Sequence, residues 1–176
     1  MRTEILLSGI GGQGLVSTGE IMGQAASIFE DGLYATLTAA YGAETRGTLT
    51  KTDVIISDKK IGYPNVESPD IVLCLAQVAY DKFVPQFTDK TKIFYDTDLV
   101  KKKTAAKGEH IGLPFRSLSI KLGNLQTANI IALGVIIKKT GILTKESIMS
   151  AIKVKFAGKN KVINLNDKAL NLGMTL

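Results

Sequence analysis

Three glycines, Gly9, Gly11 and Gly14, stand in G-x-G-x-x-G spacing within Leu7-Ser8-Gly9-Ile10-Gly11-Gly12-Gln13-Gly14. That spacing lets a strand-to-helix turn bring its backbone close to a phosphate, at a helix end that favours negative charge. An apolar run, Ile5-Leu6-Leu7, precedes the turn, and a helical pattern begins at Leu15. Read alone, the motif suggests dinucleotide binding. Its partner is missing, because a dinucleotide site needs an acid at the carboxyl end of the second strand to hold a ribose hydroxyl. Here that end reads Ala39-Ala40-Tyr41. Glu30 and Asp31 precede that strand, and Glu44 lies beyond it in a glycine-bounded loop. No Gly-Lys-Ser/Thr ending makes the turn a P-loop either. Two readings stay open: a phosphate contact, or a tight turn that lets helix and sheet pack closely. The Gln13 carboxamide can orient a ligand or bond the backbone, but it cannot transfer a proton.

The remaining chemistry is sparse. Cys74 is the single cysteine, set in the apolar run Ile71-Val72-Leu73-Cys74-Leu75. One thiol makes no internal disulfide and no four-cysteine cluster, and the run reads as a buried strand. His110 is the single histidine and has no neighbour that marks a triad or a metal site, so it reads as structural. Tyr41-Gly42-Ala43-Glu44-Thr45-Arg46-Gly47 is more pointed. Its glycines permit a tight exposed loop, Arg46 offers a planar fork for carboxylate or phosphate, and Tyr41 offers an aromatic face. The alternative is a Glu44–Arg46 pair that braces the loop internally.

Composition narrows the classes. The 176 residues are 45% hydrophobic and 22% charged, which suits one soluble globular domain with its own core. No apolar run approaches the ~18 residues of a membrane span, and the start of the chain does not resemble a signal peptide. A cytoplasmic location is expected. Charge is uneven: residues 1–100 hold 8 basic and 13 acidic residues, and residues 101–176 hold 14 and 3. The basic half is expected to face a phosphorylated ligand or an acidic protein, or else to be a solvated lysine face. Nucleic acid is disfavoured, since only Phe115 and Phe156 are aromatic there.

These residues need a scaffold. Strands are expected over Arg2–Ser8, Leu33–Ala40, Thr48–Ser57, Ile71–Leu75, Lys92–Tyr95 and His110–Pro114. Helices are expected over Leu15–Phe29, Ala76–Val84, Leu125–Lys139 and Lys145–Phe156, with a last turn over Asp167–Leu172. Thr48–Ser57 and Ile61-Gly62-Tyr63 are expected to form a hairpin around Asp58-Lys59-Lys60. Gly19 and Gly23 weaken the first helix, which is expected to gain close packing on the sheet in return. The sum is a three-layer α/β/α sandwich, Rossmann-like, with a mixed and mostly parallel sheet.

The turn Gly9-Ile10-Gly11-Gly12-Gln13-Gly14, followed by Tyr41-Gly42-Ala43-Glu44-Thr45-Arg46-Gly47, resembles the gamma subunit of 2-oxoacid:ferredoxin oxidoreductases, which corresponds to domain III of the fused pyruvate enzyme. Pro64, Ser68-Pro69-Asp70, Gly123-Asn124, Asn166, Ala169 and Gly173 extend the likeness over nearly the whole chain. Thr48 departs from it, where family members usually carry a second glycine. The resemblance implies a subunit of an enzyme that decarboxylates a 2-oxoacid, forms an acyl-CoA and reduces ferredoxin. It also implies thiamine diphosphate, magnesium and iron–sulfur clusters in the partner alpha, beta or delta subunits, and no catalytic or metal-ligating residue here. Gly11, Gly12, Gln13 and Gly14 are then expected to touch CoA or a partner, and Tyr41, Glu44 and Arg46 to touch partner subunits. The short form looks most like 2-oxoglutarate enzymes. Pyruvate and indolepyruvate specificity, or a stand-alone nucleotide-binding enzyme, are the alternatives.

Overall fold

The computed structural model describes residues 1–41 and 48–176. Six strands form one sheet: β1 (Arg2–Ile10), β2 (Tyr34–Tyr41), β3 (Leu49–Ser57), β4 (Ile71–Cys74), β5 (Lys92–Asp96) and β6 (Glu109–Leu113). Their spatial order is β2-β3-β1-β4-β5-β6. β1, β4, β5 and β6 pair in parallel, and β3 alone runs opposite to its neighbours, β1 and β2. The mixed sheet matches the expectation.

Burial explains the order. β4 is buried along its whole length, as a strand covered on both faces must be. β1 holds the centre, setting Ile5 beside Val54 of β3 and Ile71 of β4. On one face Ile5, Leu7, Val54 and Leu73 meet α1 (Leu15–Phe29), and the later helices join the same core. On the other face Leu6, Val72 and Ile93 meet Tyr80 and Val84 around α2 (Gln77–Phe83). Cys74 belongs to this second core, where burial pushes its thiol up to about 12.

The expected hairpin between Thr48–Ser57 and Ile61–Tyr63 does not form. β3 spends both edges on β1 and β2, so no edge remains for residues 61–63. Segment 58–70 instead returns to the edge of the core. There the Glu4 carboxylate accepts the backbone N–H groups of Glu67 and Ser68, and Asp70 accepts that of Glu4.

Four helices follow β6. α3 (Phe115–Leu122) ends at Gly123, whose φ of 95° closes it, and Asn124 then caps the short 3-10 turn Leu125–Thr127. α4 (Ala128–Thr140) is the most buried helix. α5 (Lys145–Lys155) starts at Thr144, whose hydroxyl accepts the Ser147 N–H. Glu30 reaches that same cap and accepts both Thr144 N–H and Oγ1–H at 2.8 Å. The acid unsuited to a ribose thus ties α5 to the end of α1. α6 (Asn160–Thr175) extends far beyond the expected last turn.

α4 and α6 cross almost backbone to backbone. A methyl group at Gly134 would lie 2.5 Å from the Leu170 carbonyl oxygen, and one at Gly173 would collide with the Ile131 carbonyl. Gly19 packs tightly on Leu37, Thr52 and Val54, as expected. Gly23 does not: nothing lies within 4 Å of where its side chain would be. Gly173→Ala is expected to cost about 1–3 kcal/mol through overpacking of rigid helices. Urea unfolding measures it, and an unchanged midpoint would contradict this packing.

Candidate functional site

The glycine turn leaves β1 at the carboxyl edge of the parallel strands. α1 continues on one face while α2, after the adjacent β4, lies on the other. A crevice between strands whose helices diverge in this way is where α/β sheets bind ligands. Here it holds a cavity of about 370 Å³. Gly11, Gly12 and Gln13 form one wall, Leu75 and Asp96 the floor, and Arg116 with Gln126 the far side.

Each residue of the turn has a physical task. The Gln13 carboxamide folds back over Gly9, in space that any side chain there would fill. Its Oε1 accepts the Ile10 N–H at 2.8 Å, and its Nε2 donates to the Leu75 carbonyl at 2.7 Å. One side chain therefore fastens the end of β1 to the end of β4. Gly11 donates its N–H to the Thr48 carbonyl. Gly14 caps α1 with a φ of 73°, and Asn129 of α4 bonds its carbonyl from a position that a Cβ would obstruct. Among the described residues no side chain caps the first turn of α1, so its amide groups keep their affinity for an anion.

The opposite wall was not anticipated. Asp96 ends β5 almost wholly buried. Burial raises its pKa, while the N–H groups of Asp98 and Arg116, donated at 3.0 Å each, oppose the rise. Asp98 accepts the Ser117 N–H at 2.7 Å. The two carboxylates thus cap α3 from the strand before it and set Arg116 at the cavity. The Arg116 side chain is exposed, and among the described residues no ion pair involves it. The signal in the sequence was Asp96-Thr97-Asp98 after an apolar strand, followed by a helix start at Phe115, seventeen residues after Asp98.

Gly11, Gly12 and Gln13 come together at the cavity, whereas Gly14 stands behind it as a helix cap. Tyr41 ends β2 by its backbone, and Glu44 and Arg46 lie outside the described residues. The dinucleotide reading loses its second half, because β3 enters beside β1 as Thr48-Leu49-Thr50, without an acid. The lysines Lys145 and Lys153 line a separate groove between α5 and α6, so the basic half does not converge on the glycine turn.

The sequence profile of pyruvate ferredoxin/flavodoxin oxidoreductases matches residues 4–176. The chain belongs to that family. A 2-oxoglutarate synthase subunit KorC from Methanocaldococcus jannaschii is 40% identical over 155 residues, covering 86% of this chain and 82% of that one. A ketoisovalerate oxidoreductase subunit VorA from Methanothermobacter thermautotrophicus is 35% identical over 96% of this chain, which spans 35% of that longer subunit. Among solved structures, the gamma subunit of a keto/oxoacid ferredoxin oxidoreductase from Geobacter sulfurreducens superposes with a TM-score of 0.86 at 34% identity, covering 99% and 95% of the two chains. The 2-oxoglutarate:ferredoxin oxidoreductase from Magnetococcus marinus shares the fold alone, with a TM-score of 0.88 at 21% identity over 30% of its chain.

His110 fits its structural reading. Its Nδ1 donates to the Gly108 carbonyl at 3.1 Å, which leaves Nε2 to accept the Tyr80 hydroxyl at 2.8 Å. That hydroxyl in turn accepts the Lys103 N–H. Burial, with Lys102 nearby, lowers the imidazole pKa below 6.5, against the Gly108 bond. Below pH 6.5 the unfolded chain therefore binds a proton that the folded chain refuses. Stability is expected to fall as pH drops through that window to the folded value, and His110→Gln to flatten the fall. An unchanged slope of unfolding free energy against pH would contradict the neutral imidazole.

Gln13→Ala leaves the Ile10 N–H and Leu75 carbonyl without these bonds. It is expected to cost about 2 kcal/mol. A urea-unfolding loss under about 0.5 kcal/mol, the range of ordinary surface changes, would contradict the bridge.

Proposed function

We propose that this chain is the gamma subunit of a 2-oxoacid:ferredoxin oxidoreductase acting on 2-oxoglutarate. We further propose that its glycine-turn cavity receives part of CoA. The substrate reading draws on likeness to KorC subunits over most of both chains. The observation that carries the CoA reading is the composition of the cavity. The uncapped α1 terminus and the unpaired Arg116 flank a space walled by Ile10, Leu75, Leu99 and Leu125. A ligand with both phosphates and an apolar arm suits that combination.

The chain's own residues do not fit an iron–sulfur cluster. Its one thiol is buried and held protonated, and the described residues contain no group of three His, Cys, Asp or Glu placed to bind a metal. Redox and thiamine chemistry is therefore assigned to alpha, beta and delta partners. The contribution of this chain is to bind and orient the acyl acceptor. The surface charge supports a further partner: the lysines of α5 and α6 suit acidic ferredoxin. Tyr41, Glu44 and Arg46 are assigned to subunit contact. Among the described residues no helix is long and apolar enough to cross a membrane, which accords with assembly in the cytoplasm.

Steady-state kinetics of the assembled oxidoreductase test this reading. Arg116→Ala is expected to raise the CoA KM about tenfold, the worth of one charge-assisted contact, with kcat at saturating CoA little changed. An unchanged KM would overturn the CoA assignment. A kcat/KM favouring pyruvate or a branched-chain 2-oxoacid over 2-oxoglutarate would overturn the substrate assignment.

A further inference from the structure

One edge of the sheet carries features that the cavity does not use. β2 is the outermost strand, and its residues Tyr-Ala-Thr-Leu-Thr-Ala-Ala-Tyr include no charge and no proline. Long edge strands normally carry such blocking residues, because their free N–H and C=O groups invite another strand. Three large apolar side chains at the end of α1 and the start of β2 are exposed: Ile28, Phe29 and Tyr34, by 62%, 38% and 45%. Beside them runs a groove between α1 and β2. Gln24 lines it, and Gln24 Oε1 is buried without a partner, as is Thr36 Oγ1 on the strand itself. Gly23, which weakens α1, also lines the groove and touches nothing.

We propose that β2 pairs antiparallel with β2 of a second copy of this chain, making one continuous sheet across a two-fold axis at Leu37. The strand is almost self-complementary about that residue. Leu37 meets its own copy, Ala35 meets Ala39, Thr36 meets Thr38, and Tyr34 meets Ala40. The α1 face of the seam is then apolar, the other face pairs threonine hydroxyls, and no like charges meet.

The helices fit the same axis. Gly19 packs on Leu37 of β2 and on Thr52 and Val54 of β3, so α1 lies above the space between those two strands. Strands are about 4.8 Å apart, which places α1 and its copy about 10 Å apart across the axis. That is the ordinary spacing of packed helices. Gly23 and Ser27 present the small side chains such a contact needs, and Glu20 at the groove is already paired with Lys155. The unpartnered Gln24 carboxamide then meets polar groups of the second copy.

Sedimentation of the full chain tests the pairing. At about 100 μM the wild type is expected at twice the 18.9 kDa of one chain. Thr36→Lys/Thr38→Lys sets like charges opposite each other twice and is expected to weaken the dimer at least about tenfold. Circular dichroism checks that the variant folds. Independently, Thr36→Cys/Thr38→Cys is expected to form an interchain disulfide on mild oxidation, with native Cys74 buried and silent. A monomeric wild type overturns the proposal. So does a dimer that survives the lysines and does not cross-link, or cysteines that cross-link only to a different subunit in the assembled oxidoreductase.

Discussion

The Gln13 carboxamide is the contact on which the rest of the site depends. Strand ends at the carboxyl edge of a parallel sheet diverge into helices on opposite faces, and the β1–β4 ladder stops at the bond from Leu75 N–H to the Ser8 carbonyl, short of Ile10. Gln13 carries the connection on to the turn, accepting from Ile10 and donating to Leu75. The bridge fixes the height of the glycine turn above the sheet and closes one wall of the cavity. It also explains Gly9, whose missing side chain is the space the carboxamide occupies. A residue that reads as a ligand contact is thus spent on positioning, and the backbone of Gly11 and Gly12 forms the surface beside it.

The opposite wall follows the same logic with charge. Asp96 and Asp98 cap α3 across the long excursion between β5 and that helix. They occupy an anion-favouring helix end with carboxylates of the chain itself, while no side chain among the described residues caps the α1 end beside it. Arg116 then stands at the cavity beside Asp96, whose carboxylate its charge also favours, without forming an ion pair among the described residues. On the proposed reading, a negative charge that enters the cavity is directed to the glycine turn rather than to the start of α3.

Much of this was legible in the residues. The apolar run before Gly9 and the helical period after Leu15 place β1 and α1, and α1 has the expected bounds, Leu15–Phe29. The buried run Ile71–Cys74 reads directly as a central strand. Local pattern fails where tertiary contact decides. α6 is rich in asparagine and lysine, so its helix rests on Ala169, Leu170 and Gly173 packing against α4 rather than on propensity. α3 is short and is stabilised by carboxylates that lie far back in the chain. Segment 61–63 has a strand-like look, but β3, the strand before it, is already paired on both edges. The paired loop Tyr41–Gly47 contributes by resemblance alone, because residues 42–47 lie outside the described structure.

The central claim is that the glycine turn is a ligand surface in the assembled enzyme as well as a packing device. Amide hydrogen exchange of the complete oxidoreductase, with and without saturating CoA, reports on it directly. The account predicts slowed exchange at Gly11, Gly12 and the first turn of α1, together with the start of α3 that carries Arg116. Unchanged exchange across both segments, with protection confined to other subunits, would contradict it.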